Sequence, residues 1–306
     1  MENRDKIKII VGLLVALVLC SSLIPVMNNY AATHTTVVTS NKKVKKRKNK
    51  VKLQQTTVRE RDEALDEEIQ TYLQSMNIDM EDVAYTICDQ ENGEVYSYNE
   101  DVEFIAASTY KLPLAMLYYD KVQEGSITLD TTYCYRANMY EESSVLAANY
   151  AINSQIPLSE ILEDMIIYSD NVAGHILFEY LGGWQKFKEA TLEYTQATSE
   201  NYLSMENVMT THQMSDVLNC LYQNRSNYTD LIENMKKSKT NDYLDSEIQI
   251  GMPQKYGALN TYCNAAGFVE ATHPYTIVVY TSLGDKGIEV MGHINKICYS
   301  HFNELQ

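Results

Sequence analysis

The chain has 306 residues, of which 45% are hydrophobic, and it contains only 12 Gly and 5 Pro. This composition excludes a mostly disordered or collagen-like chain. The formal net charge is −16, but residues 1–57 hold eleven basic and two acidic side chains, whereas residues 58–306 hold 14 basic and 39 acidic ones. Because nucleic-acid binding needs clustered Lys and Arg against phosphates, the large acidic part predicts no nucleic-acid partner.

Residues 9–27 run from Ile9 to Met27 without an Asp, Glu, Lys or Arg. At 1.5 Å rise per residue, a helix of about 19 residues roughly spans the hydrocarbon core of a bilayer. We therefore predict a transmembrane signal anchor over 9–27, preceded by a short cytoplasmic N-terminus over 1–8. A cleaved signal peptide and a lipidated Cys20 remain as alternatives.

Residues 28–57 contain the basic run Lys42–Lys52. Such a self-repelling stretch predicts a basic flexible stalk, and the alternative is a contact for anionic cell-wall polymer or lipid headgroups. By the positive-inside rule, this run after the hydrophobic segment favours a cytoplasmic location for the rest of the chain. Charge alone thus argues against export.

Residues 58–306 show strand patterns near both ends and a helical pattern between them. The predicted elements in chain order are a helix over 58–76, strands over 83–89 and 95–98, helices from 108 to about 237, strands over 262–269 and 275–281, and a helix over 286–305. The turn Asn92-Gly93 between the first two strands is a strong hairpin signal. Strands at both ends predict one antiparallel sheet with helices packed on it.

A candidate nucleophile lies where the strand pattern changes to the helical one, in Ser108-x-x-Lys111. Residues three apart in a helical turn share one face, so the Lys111 amine can take the proton of the Ser108 hydroxyl. The N-terminus of a helix also offers free N–H groups for an oxyanion. Alone, this tetrapeptide is common, and a helix-capping serine with a solvated lysine is the ordinary interpretation.

Two further motifs follow in order, Ser169-Asp170-Asn171 and Lys255-Tyr256-Gly257. With the first motif, they resemble the Ser-x-x-Lys, Ser-Asp-Asn and Lys-Thr-Gly elements of class A β-lactamases and penicillin-binding proteins. The resemblance covers about residues 80–305. It implies an α+β fold of the class A β-lactamase type, in which a five-stranded antiparallel sheet carries helices on both faces beside an all-helical subdomain, here preceded by an N-terminal transmembrane helix.

The resemblance also implies residue roles. Ser108 would be acylated, Lys111 would help to activate it, and Ser169 would relay a proton to the leaving nitrogen with the aid of Lys255. Asn171 would bind the substrate amide. The remaining substrate-binding positions would be Gly257, which leaves the strand edge free, and Ala258, whose backbone N–H would complete the oxyanion hole with that of Ser108.

The sequence departs from the family pattern at two places. Tyr256 stands where the family usually has Thr or Ser to bond the substrate carboxylate, so binding of a penicillin or a C-terminal D-alanine would be weaker or shifted. The family's deacylating glutamate is matched best by Glu200, in a Glu-x-x-Leu sequence that continues with Ser204 rather than Asn. The alternatives are Glu193 or Glu206 as the base, or no such base at all.

These features predict a membrane-anchored serine hydrolase of residues 58–306, acylated at Ser108 by a β-lactam or related amide and hydrolysing it. The alternatives are a penicillin-binding or DD-peptidase-like enzyme that acts on peptidoglycan stem peptides with slow deacylation, and a non-catalytic cell-wall-binding module. The resemblance implies no metal or organic cofactor. Because the family's substrates occur outside the cytoplasmic membrane, it favours an extracytoplasmic catalytic domain despite the basic run.

Overall fold

A computed structural model describes residues 63–304. The strands are β1 (Val83–Asp89), β2 (Val95–Tyr98), β3 (Phe104–Ile105), β4 (Thr132–Cys134), β5 (Gln155–Pro157), β6 (Val208–Met209), β7 (Gln254–Leu259), β8 (Tyr262–Val269) and β9 (Tyr275–Thr281). The helices are α1 (Glu63–Ser75), α2 (Lys111–Gln123), α3 (Val145–Asn149), α4 (Leu158–Ile167), α5 (Asn171–Tyr180), α6 (Trp184–Thr191), α7 (Thr211–Gln223), α8 (Thr229–Lys237) and α9 (Lys286–Asn303).

The main sheet has five antiparallel strands in the order β2-β1-β9-β8-β7. It confirms the predicted sheet that is built from both ends of the domain. All seven residues of β1 are buried, as are all seven of β9. Helices therefore cover both faces, which explains why these strands have near-continuous apolar sequences rather than an alternating pattern.

Side chains from β1 alternate between two hydrophobic cores. Val83 and Tyr85 pack in the core under α1 and α9, whereas Ala84 joins the core formed with the helical subdomain. Helix α1 buries Leu65 and Ile69 at a spacing of four residues, as an amphipathic helix against a sheet must. The predicted helix over 58–76 is observed from residue 63, where the described part of the chain begins.

Helix α2 is the central element of the helical subdomain, and every side chain from Lys111 to Tyr119 is buried. The predicted helical stretch also contains the strands β4, β5 and β6, which the prediction missed, as it missed β3 just before that stretch. β3 pairs with β6, and β4 pairs with β5. Strands of two or three residues are too short to show a period, so tertiary pairing decides them. The β3-β6 pair joins Phe104 to Met209 and attaches the segment before Ser108 to the body of the domain.

Among the helices of residues 63–304, none combines the length and the apolar character needed to cross a bilayer. The predicted cytoplasmic N-terminus, signal anchor over 9–27 and stalk over 28–57 lie outside the described residues.

Candidate active site

Ser108 lies in a single 3-10 turn, Ala107–Tyr110, that leads directly into α2. Ala107 has a φ of 49°, in the left-handed region that residues other than glycine rarely adopt. Asn207 holds this backbone from the side of β6. Its Nδ2 donates a hydrogen bond of 2.8 Å to the Ala107 carbonyl, and its own carbonyl accepts one of 2.8 Å from the Ala106 N–H. The turn thereby presents a half-buried Ser108 at the beginning of the helix.

Lys111 is fully buried beside the nucleophile. Its Nζ lies 3.0 Å from Ser108 Oγ, and it also donates to the Ser169 carbonyl (2.5 Å) and to Asn171 Oδ1 (2.6 Å). Burial lowers the pKa of Lys111 to about 7. A desolvated amine near neutrality can accept the proton of Ser108, so the geometry suits a nucleophile and its general base.

The hydroxyl of Ser169 lies between two lysines. Its Oγ is 3.0 Å from Lys255 Nζ and 3.4 Å from Lys111 Nζ. Ser169 has a φ of 57°, and the next residue, Asp170, caps the start of α5 through its side chain. Burial, and then the nearby Lys111, lower the pKa of Lys255 well below its usual value. Ser108, Lys111, Ser169 and Lys255 are therefore joined by polar contacts, although they come from three separate parts of the sequence.

Strand β7 forms the edge of the main sheet and passes close to the nucleophile. A Cβ added at Gly257 would lie 2.5 Å from the Ser108 backbone N and 2.9 Å from the Thr109 backbone N. Only glycine permits this approach to the Ser108 backbone, which the sequence analysis did not foresee. The predicted role of Gly257 in leaving the strand edge free for substrate stays a prediction. Ala258 follows on the same edge strand, and its part in an oxyanion hole stays a prediction.

The phenol of Tyr256 reaches across the cleft from β7 to the second motif. Its hydroxyl donates to the Tyr168 carbonyl at 3.3 Å. Its ring centroid lies 4.2 Å from Lys255 Nζ and 4.8 Å from the ring of Tyr243. The hydroxyl of Tyr256 therefore does not occupy the position of a Thr or Ser hydroxyl. Its ring instead covers one side of the Lys255 amine.

Glu200 is exposed, and among the hydrogen bonds of residues 63–304 none joins it to Ser108 or Lys111. The next residue, Asn201, bonds Glu103 through its backbone N–H (2.7 Å) and its side chain (2.8 Å). The role of Glu200 in deacylation stays a prediction.

The two alternative bases occupy other surroundings. Partial burial, and then the nearby Asp120 in the last turn of α2, raise the pKa of the Glu193 carboxyl. Glu206 is exposed, and its backbone carbonyl accepts a hydrogen bond of 2.8 Å from Lys188 Nζ.

The structure adds two residues that the sequence analysis missed. Glu141 Oε1 accepts a hydrogen bond of 2.8 Å from Asn171 Nδ2, so both ends of the Asn171 amide are held. Asn207, described above, supports the turn before Ser108. Neither lies in a recognisable motif. No signal in the sequence pointed to them, because both contacts join residues far apart in the chain.

A model of the β-lactamase enzyme family matches residues 63–302. This match covers most of the chain, and the chain belongs to that family.

Two curated relatives align over short segments. A β-lactamase of Bacteroides uniformis is 31% identical over 96 residues, which is 30% of this chain and 32% of the relative. The extended-spectrum β-lactamase PER-1 of Pseudomonas aeruginosa is 32% identical over 84 residues, which is 26% of this chain and 27% of the relative. The aligned segments thus span about a third or less of these relatives.

Solved structures resemble the fold over its full extent. The acyl-enzyme complex of the L158E mutant of PBP-A with penicillin G has a TM-score of 0.69 at 21% identity, and covers 79% of this chain and 97% of that one. TLA-3 extended-spectrum β-lactamase has a TM-score of 0.67 at 22% identity, covering 78% and 98%. A β-lactamase from Chitinophaga pinensis has 0.68 at 18% identity, covering 78% and 100%. At these identities the likeness establishes a class A β-lactamase-like fold.

Proposed function

We propose that the protein is a serine hydrolase that is acylated at Ser108 by a β-lactam or related amide and then hydrolyses the acyl-enzyme. The observation that carries this proposal is the 3.0 Å contact between Ser108 Oγ and the buried Lys111 Nζ. Family membership supports the same reaction.

The hydrogen bonds that join Ser108, Lys111 and Ser169 provide a route for each proton during acylation. Ser108 Oγ forms a bond to the substrate carbonyl carbon while its proton passes to Lys111 Nζ. The tetrahedral intermediate then collapses, and the bond from the carbonyl carbon to the leaving nitrogen breaks. Ser169 donates its proton to that nitrogen and takes the proton held by Lys111 Nζ, which lies 3.4 Å from Ser169 Oγ. Lys255, 3.0 Å from Ser169 Oγ, stabilises the hydroxyl oxygen during this transfer. Water must later cleave the ester to release an acid and free Ser108.

A second candidate function differs in this last step. Among the hydrogen bonds of residues 63–304, none joins a carboxylate to Ser108 or Lys111. This favours a penicillin-binding or DD-peptidase-like enzyme that acts on peptidoglycan stem peptides, in which the acyl-enzyme persists. A non-catalytic cell-wall-binding module is a third candidate. It is the weakest of the three, because a binding module would not need the buried Lys111 amine in contact with Ser108 Oγ.

We further propose that residues 9–27 anchor the domain at the outer face of the cytoplasmic membrane, with residues 28–57 as a basic flexible stalk between the two. The support is that a peptidoglycan or β-lactam substrate is present there. Protease added to intact protoplasts should degrade the domain, and protection from protease would place it in the cytoplasm.

The decisive experiment is a time course of intact mass for the full chain mixed with penicillin G, recorded beside the absorbance of the β-lactam ring. A transient adduct with continuing loss of ring absorbance supports hydrolysis, and a persistent adduct supports the penicillin-binding alternative. Ser108→Ala should remove the adduct. Retention of the adduct by that variant would contradict the assignment of Ser108.

A further inference from the structure

The aromatic side chain of Tyr256 closes the end of the cleft where the family pattern has a short hydroxyl residue. The phenol is tied to the Tyr168 carbonyl on one side, and its ring packs on the buried Tyr243. Two separate segments of the chain therefore hold the Tyr256 side chain in place. A substrate group that approaches Lys255 from this end meets the ring, whose centroid is 4.2 Å from the amine.

The polar groups at this end are already engaged with the protein. Lys255 Nζ donates to Ser169 Oγ and, at 2.7 Å, to the Tyr256 carbonyl. Lys239 lies 5.5 Å from the Tyr256 ring, but its Nζ pairs with Asp242 at 3.4 Å. A carboxylate that enters here must compete with these protein acceptors for both amines.

Negative charge near the site also disfavours a substrate carboxylate. The Glu141 carboxylate lies on the Asn171 side of the site, and residues 58–306 carry 39 acidic against 14 basic side chains. This field disfavours the approach of an anion. Exposed aromatic side chains stand next to two of the site residues in the chain instead, at Tyr140 (57% exposed) before Glu141 and at Tyr168 (55% exposed) before Ser169.

We propose that this site prefers uncharged acyl donors, which are esters or amides without a carboxylate beside the scissile bond, and that Tyr256 sets this preference. The inference rests on the proposed acylation of Ser108 and adds its substrate class. The reaction is the same for such a donor. Ser108 Oγ bonds the acyl carbon while its proton passes to Lys111 Nζ. The bond to the leaving oxygen or nitrogen breaks, the leaving atom takes a proton from Ser169, and Lys111 returns its proton to Ser169. Water then cleaves the acyl-enzyme to an acid and free Ser108.

The test uses penicillin G and its methyl ester, which share one β-lactam ring and differ in the carboxylate. Acylation of the full chain is followed by intact mass, and each rate is divided by the rate at which hydroxide opens the same compound. We expect the ester to acylate wild type about tenfold faster than the acid after this correction.

Two substitutions at one position separate the ring from the hydroxyl. Tyr256→Phe keeps the ring and should keep the preference for the ester, whereas Tyr256→Thr opens the cleft and should reduce or reverse it. If Tyr256→Thr does not fold, the wild-type ratio and Tyr256→Phe still decide the question. An acid that reacts as fast as the ester in wild type would overturn the preference alone. No adduct from either compound would overturn the proposed function and the preference with it.

Discussion

Replacing Gly257 by alanine should slow acylation of Ser108 by about 100-fold, in keeping with the loss expected for a misplacement of about 1 Å in an active site. The new Cβ would lie 2.5 Å from the Ser108 backbone N, whereas ordinary van der Waals contact begins at 3.4 Å. The two segments must therefore separate by about 0.9 Å. Because the obstacle is backbone on both sides, no side-chain rotation relieves it, and Ser108 moves relative to Lys111 or to the edge strand.

Gly267→Ala is the matched control for this substitution. Its Cβ would lie 2.6 Å from the Pro253 carbonyl, so it crowds the neighbouring strand to a similar degree without a close contact to Ser108. Both variants should melt at a lower temperature than wild type, but only Gly257→Ala should lose most of its acylation rate. The rate is read by intact mass with a reactive uncharged ester. Acylation by Gly257→Ala within about threefold of wild type would refute the argument that this close approach positions Ser108.

Three further predictions concern charge and the loop before β6. The acylation rate should rise with an apparent pKa of about 7, because burial gives Lys111 that pKa and only its neutral form accepts a proton; a flat profile from about pH 5 to 8 would contradict this. The Glu141 carboxylate raises the pKa of Lys111, so Glu141→Gln should move the midpoint of the pH profile to lower pH. The acylation rate at pH 6 should then rise about twofold. Glu142→Gln, at the exposed neighbouring position, is the control and should not change that rate. Lys188→Met should lower the free energy of unfolding in urea titrations by about 1–3 kcal/mol, because Lys188 is 2% exposed and donates to the carbonyls of Ser204 and Glu206. Lys186→Met, on the exposed face of the same helix, should change the free energy of unfolding little.

Four of the five strands of the main sheet were predictable because their local patterns are strong, whereas the edge strand β7 was not predicted from its pattern. The two strands around Asn92-Gly93 are observed at the predicted bounds, and so are β8 and β9. A sheet strand that is buried on both faces has an apolar run that survives in the sequence whatever its neighbours are. The short strands β3 to β6 left no such pattern, since two or three residues adopt an extended conformation only when a partner strand is present.

The candidate site was predictable for a different reason. Ser108 and Lys111 are one helical turn apart, so local geometry brings them together. Ser169 and Lys255 were assigned through the order of three motifs, and the fold places both beside Lys111. The contacts agree with the predicted grouping, while the chemical roles stay predictions for the labelling experiments above.

The sequence by itself determined the sheet, the helical middle and the grouping of the three motifs, because each depends on a local pattern or on a motif order. Only the tertiary structure decided how the departures from the family pattern act. It places the Tyr256 phenol against the Tyr168 carbonyl, sets Glu141 on Asn171 and leaves Glu200 exposed. These outcomes depend on which side chains meet across large sequence separations. Loop geometry and burial decide these contacts, and neither produces a periodic pattern in the sequence.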